Sequence, residues 1–318
     1  MKVHVIIKVY WLALMVGLSL QAHAQTEIDG LLMQKKYFCS GLTAGYSKWT
    51  KYWEGTSKRE NLNMGTVSTS YAMLMGNYGV TDKLNILFGV PYIKTKASAG
   101  QLAGQKGIQD LSLFAKWVAH EFHPGHNQNL KAILVAGVST PLTNYTPDLL
   151  PLSIGLKCRA ASLRLMADYE YGDWFGTASY AYVFRGNVTL DRDSYYTTEM
   201  HYTNEVYMPD VSNINVRAGY RTSTWIIEGI LDQRNTLGGF DITKNNMPFV
   251  SNKMNALSLG LHVKYETDFV DGLSFVGDFS QVVKGRNMGQ STSFGGGIFY
   301  IMDFGHKKSA SKKTSSFK

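Results

Sequence analysis

The residues most able to do chemistry fall into three groups. The first is His120, Glu121, His123 and His126, crowded into the stretch HEFHPGH. Imidazoles beside a carboxylate are what zinc selects. The order is wrong for the HExxH signature, however, because His123 comes two residues after Glu121, and Pro124-Gly125 prevents a helix from bringing the group onto one face. The stretch reads as a solvated turn, with weak metal binding as the lesser alternative. The second group is His262, which in a barrel-shaped lipid hydrolase would serve as a base. No GxSxG elbow is present, and no Ser stands at a recognisable spacing from it, so catalysis is not expected. No pattern calls for a cofactor.

The third group is a set of charges that alternate with apolar residues. In 255–267, Leu257, Leu259, Leu261, Val263 and Tyr265 alternate with Ser258, Gly260, His262, Lys264 and Glu266. In 211–221, Ile214, Val216, Ala218 and Tyr220 alternate with Asn213, Asn215, Arg217 and Gly219. In 161–171, Leu163, Leu165, Ala167 and Tyr169 alternate with Arg164, Met166, Asp168 and Glu170. A period of two puts the charges on one face of a strand and the hydrocarbon on the other. Arg164, Asp168, Arg217, Glu228, Asp232, His262, Lys264, Glu266 and Asp278 are thereby expected on one face. There they would line a lumen and set its selectivity, or hold the wall together as cross-strand pairs.

Twelve segments show the same periodicity: 40–48, 65–77, 84–94, 108–119, 129–140, 161–171, 174–187, 211–221, 225–234, 255–267, 272–284 and 291–305. A tilted strand needs about 9 to 11 residues to cross a bilayer's hydrocarbon core. Lipid offers no hydrogen bonds, so strands that cross it must close into a cylinder without an edge. The expected fold is therefore all-β, a transmembrane antiparallel up-and-down β-barrel of about twelve strands. Connectors alternate between long (49–64, 95–107, 141–160, 188–210, 235–254, 285–290) and mostly short (78–83, 120–128, 172–173, 222–224, 268–271), the asymmetry of outer loops and periplasmic turns. The long loops carry Trp49, Tyr52, Trp53, Tyr195, Tyr196, Tyr202 and Tyr207, and would either gate the mouth or decorate the surface.

Aromatic residues gather at one height. Trp117, Tyr169, Tyr220 and Tyr265 fall late in descending strands, and Trp174 and Trp225 open ascending ones. That level is the periplasmic headgroup region, so these six are expected to form a membrane girdle. The competing arrangement is a soluble sandwich with aromatic ends, in which the apolar faces would make a dry core.

The ends of the chain are different in kind. Residues 1–24 read as an export signal: Lys2 and Lys8, an apolar run from Val9 to Leu20, then Ala22-His23-Ala24 before Gln25. That run is too short to span as a helix. Residues 25–39 are expected as a periplasmic lead, 40–305 as the barrel, and 306–318 as a basic disordered tail. The net charge of +8 sits mostly in the ends, since the signal and tail hold seven of the 32 basic residues and no acidic ones, leaving 25 against 24 acidic. No folded basic surface is left for nucleic acid. Cys39, at the base of the first strand, and Cys158, in an outer loop, would be too far apart to pair.

Gly79-Val80-Thr81-Asp82-Lys83-Leu84, Gly89-Val90-Pro91-Tyr92, Gly107, Asp110-Leu111-Ser112-Leu113 and Lys116-Trp117 resemble the outer-membrane transporters named after the meta-pathway of phenol degradation. Gly172-Asp173-Trp174 and Phe184-Arg185-Gly186-Asn187 extend the likeness over about 40–305. The resemblance implies an outer-membrane transport role, with a name pointing to aromatic or apolar solutes, and brings no catalytic or binding residues. The expected function is passive passage of small solutes through a narrow, charged lumen, since twelve strands lie between filled eight-stranded barrels and open sixteen-stranded porins. The expected partners are outer-membrane lipids, the solute, and barrel-assembly machinery, which reads a terminal aromatic such as Phe304. The alternatives are a closed barrel displaying loops for adhesion or assembly and, behind it, an outer-membrane lipid hydrolase.

Overall fold

The computed structural model describes residues 26–243 and 246–305; the expected export signal and basic tail lie outside them. Twelve long antiparallel strands make the wall: β1 Tyr37–Trp49, β2 Val67–Thr81, β3 Leu84–Ala97, β4 Asp110–Phe122, β5 Gln128–Pro141, β6 Ala160–Tyr171, β7 Trp174–Arg185, β8 Val211–Arg221, β9 Trp225–Thr236, β10 Asn255–Glu266, β11 Leu273–Arg286 and β12 Thr292–Asp303. Each pairs with its neighbours in sequence, and β1 pairs with both β2 and β12. That last pairing closes the cylinder and removes the sheet edge.

Alternation along each strand sorts the two faces. Leu259, Leu261, Ile227, Leu163, Leu165, Ile214 and Val216 are exposed on the outside, while their sequence neighbours point inward and pair across strands in register, as Arg217 does with Ile230 and His262 with Asp278. Turns at one end are tight. Gly172 lies at φ 58 between Tyr171 and Trp174, a left-handed backbone that a side chain would strain. The connectors at the other end are long and structured, with short hairpins at Lys51–Glu54/Ser57–Glu60, Val188–Thr189/Glu205–Val206 and Tyr195–Tyr196/Met200–His201.

Those long loops pack over the mouth. Cys158, Val188, Leu190, Tyr195, Val206, Met208 and Val250 form one buried apolar cluster drawn from three loops. Leu152 is fully buried, and its carbonyl accepts a 2.5 Å hydrogen bond from the hydroxyl of Thr95 on β3. A second tie is Asn287, buried in a left-handed conformation at φ 53. Its carbonyl oxygen accepts from the Gly55 and Ile242 amides, and its Nδ2 donates to Asp241 and to the Lys253 carbonyl. One amide side chain thus fastens three loops together.

The first strand begins at Tyr37, three residues before the expected start of the barrel at 40, so the lead ends at Lys36, and its residues from Thr26 onward lie in the barrel's short-turn end. Leu31 packs with Phe175 of β7 and Ile226 of β9, Leu32 against Val118, Ile133 and Met166, and Met33 with Cys39, Phe299 and Ile301. These partners come from opposite sides of the wall, so the lead crosses the lumen. Its three apolar side chains have no other route out of water, and hydrocarbon burial holds them there at about 1.5–3 kcal/mol each.

Candidate functional site: the lumen

The structure places all nine sequence-selected charges on the inward face and joins most of them into pairs. Arg217 Nη1 donates to Glu228 Oε1 with both side chains buried, and Arg217 Nε donates to Asn215 Oδ1. Asp168 accepts from Thr177 Oγ1 at 2.5 Å and from Arg221, which also reaches Glu170 at 2.7 Å. Lys264 lies 3.5 Å from Glu266, and His262 Nδ1 is 2.7 Å from Asp278 Oδ1. Arg164 bonds Ser179 and Asn213, and Asp232 Oδ2 accepts from the Nδ2 groups of Asn213 and Asn215. Charges taken out of bulk water in this way are tolerable only when so paired.

The bottom of the lumen depends on a residue outside that set. Lys116 of β4 has a fully buried side chain, and its Nζ donates to Asp29 Oδ1 at 2.9 Å, to the Thr26 carbonyl at 2.9 Å and to the Leu31 carbonyl at 2.7 Å. Burial works to raise the Asp29 pKa, but the Lys116 charge, with hydrogen bonds from Lys116 and the Thr26 amide, holds that carboxyl below its ordinary value. The lead fits so closely that a Cβ on Gly79 would stand 2.0 Å from the Gln34 carbonyl oxygen. Asn85 Nδ2 donates to the Met33 carbonyl at 3.4 Å, and the Lys35 amide to Asp82 at 2.9 Å. The lead is therefore a stopper pinned by one buried ion pair and several carbonyl contacts.

Above the stopper and below the loops is a cavity of about 410 Å³. Arg164, Asn213, Asp232 and Arg234 line it together with Phe114, Val135, Ala181 and Val211, and Glu27 of the lead borders it from below. The volume suits a small molecule.

The six aromatics expected to form a girdle point outward at the short-turn end. Trp117, Tyr169, Trp174, Tyr220 and Trp225 are exposed, Tyr265 is half-buried, and Trp174 meets Tyr220 while Trp225 meets Tyr265 ring to ring. The histidine stretch divides between strand and turn: His120 ends β4 against Phe122, with His123 and His126 beyond. Among the described residues, no three His, Cys, Asp or Glu side chains gather to hold a metal. Lys116, Asp29, Arg221 and Arg234 also face the lumen, and alternation in the sequence does not single them out.

Twelve strands closed antiparallel, apolar outside and charged within, define a membrane-type β-barrel. The fold is similar to that of the COG4313 outer membrane channel from Pseudomonas putida F1, with a TM-score of 0.68 at 12% identity, covering 88% of this chain and 100% of that one. Fainter likenesses include the NanC porin (TM-score 0.46, 7% identity, 82% of this chain, 98% of that one) and the CymD monoaromatic hydrocarbon channel (TM-score 0.40, 11% identity, 86% and 90%). No protein-family model matches the chain, and no curated protein is similar to it in sequence.

Proposed function

We propose that this protein is an outer-membrane channel for small solutes, closed at rest by its own N-terminal lead. The observation that carries the reading is a greasy cylinder enclosing a cavity lined by charged and apolar side chains together, with one end stoppered by residues 26–36 and the other narrowed by loops. An exterior of exposed Leu, Ile, Val and aromatic side chains suits acyl chains and not water. The outward rings at the short-turn end support insertion with that end toward the periplasm, as the girdle residues. The nine inward charges serve as a selectivity lining as well as cross-strand ties.

Lipid hydrolysis finds less support, since His262 turns into the lumen and bonds Asp278, away from the acyl chains. Conductance of the purified chain in planar bilayers, compared with a variant lacking residues 26–36, tests the proposal. The full chain should show low, intermittent current and the truncated one a steady open level. Absence of current from both, with no solute flux in proteoliposomes, would refute it.

A further inference from the structure

The upper cavity holds cationic groups that the ion-pair network leaves unused. By register Arg164 of β6 faces Ala181 of β7, Ala181 faces Asn213 of β8, and Asn213 faces Arg234 of β9. Two arginines therefore flank a notch bounded by a methyl and an amide. Strands stand about 4.8 Å apart, so the two Cα atoms are separated by roughly 14 Å of wall, and both side chains line the one cavity between them.

The existing partners of these cations are mostly neutral. Arg164 gives Nη1 to Ser179 Oγ at 2.8 Å and Nη2 to Asn213 Oδ1 at 3.0 Å. The Arg234 guanidinium makes no hydrogen bond or ion pair among the described residues. Arg185, at the top of β7, lies close enough to Arg234 for their charges to repel. Two acids border the cavity: Asp232, whose Oδ2 already accepts from Asn213 and Asn215 at 2.9 Å each, and Glu27 of the lead. A guanidinium facing a cavity with unused donors is a fork for a carboxylate.

The rest of the lining asks for something besides charge. Val135 is the cross-strand neighbour of Arg164, Val183 and Val211 stand on the two strands between the arginines, and Phe114 adds a ring from β4, so the wall beside the cations is apolar. A bare inorganic anion would leave that wall wet, whereas an acid with a hydrocarbon body would cover it while its carboxylate met the donors.

We propose that this cavity binds small monocarboxylates with an apolar body, the carboxylate on Arg234 and Arg164 and the body against Phe114 and Val135. As a transport subsite it rests on the channel reading; as a binding site it does not. Glu27 on the lead, facing the same cavity, opposes the ligand's charge, so seating the stopper and binding the acid disfavour each other.

Isothermal titration of the detergent-purified full chain with cyclohexanecarboxylate, cyclohexylamine, cyclohexylmethanol and acetate tests this. Cyclohexanecarboxylate should bind one site, with the amine, alcohol and acetate each at least about tenfold weaker, the worth of one charge-assisted contact. Arg234→Gln should weaken the acid by about tenfold or more, and Glu27→Gln should tighten it, with heat-modifiable gel mobility unchanged in both. Equal binding of acid and amine, no binding of the acid, or unaltered affinity in Arg234→Gln would overturn the site. Flux in proteoliposomes is read separately: binding without flux refutes the channel and leaves the site, and flux without binding does the reverse.

Discussion

Replacing Lys116 with Met should release the stopper while keeping the side chain's length. Lys116 Nζ holds Asp29 and two lead carbonyls at 2.7–2.9 Å with no exposed surface on its side chain. Its loss strands the Asp29 carboxylate, and breaking one partner of a buried pair costs about 3–5 kcal/mol. That lowers the ratio of docked to released lead by roughly two to three and a half orders of magnitude. Ordering a segment costs about 1–2 kcal/mol per residue, so the docked state has little to spare. Single-channel conductance should rise to the level of the variant lacking residues 26–36, and a protease should cut the lead of Lys116→Met while sparing the parent. Adding Asp29→Asn should return part of the closure, because two neutral partners no longer bury a lone charge. A Lys116→Met protein with parental current and parental protease resistance would refute the reasoning, as would a double variant more open than the single.

Three further outcomes follow from other contacts. Glu228→Gln leaves buried Arg217 without its counter-charge, and the urea midpoint of the barrel in detergent should fall by an amount equal to about 3–5 kcal/mol; an unchanged midpoint would show the pair to be idle. Asp241 is held down to about 2, chiefly by its hydrogen bonds from Arg286. A depressed carboxylate stabilises fully above its unfolded value near 4 and loses that contribution as pH falls toward 2. Protection from hydrogen exchange, relative to the intrinsic rate, should accordingly fall across 237–243 and 246–254 between about pH 4 and 2, and Asp241→Asn should show the lower protection already at neutral pH. Cys39 and Cys158 are both free and buried, and burial pushes the Cys158 thiol up, so gel mobility should ignore reductant and maleimide should react only after the loops are loosened.

The wall was readable because its signal is local. Strands β6, β8 and β10 alternate cleanly, so Arg164, Arg217 and His262 can be assigned to a face from a few neighbours alone. β4 is harder, since Phe114 and Val118 flank Lys116 on the inward face and Leu113 and Trp117 lie outward. With hydrocarbon on both faces, the one cation loses its contrast. The lead escaped for a different reason. Asp29-Gly30-Leu31-Leu32-Met33 has no period, and most of the contacts that fix it to the wall are distant, on Lys116, Phe175, Ile226 and Phe299. Arg185 and Arg234 sit at or near strand ends, where pattern alone does not say which cavity a residue reaches. Cross-strand registers are decided by closure of the whole cylinder, and no short window contains that information.

The pocket for Met33 is built from Cys39 on the first strand and from Phe299 and Ile301 on the last. Until those two strands meet, that pocket does not exist, so the lead has no complete seat in an unfinished cylinder. Seating of Met33 therefore has to wait for the wall to close.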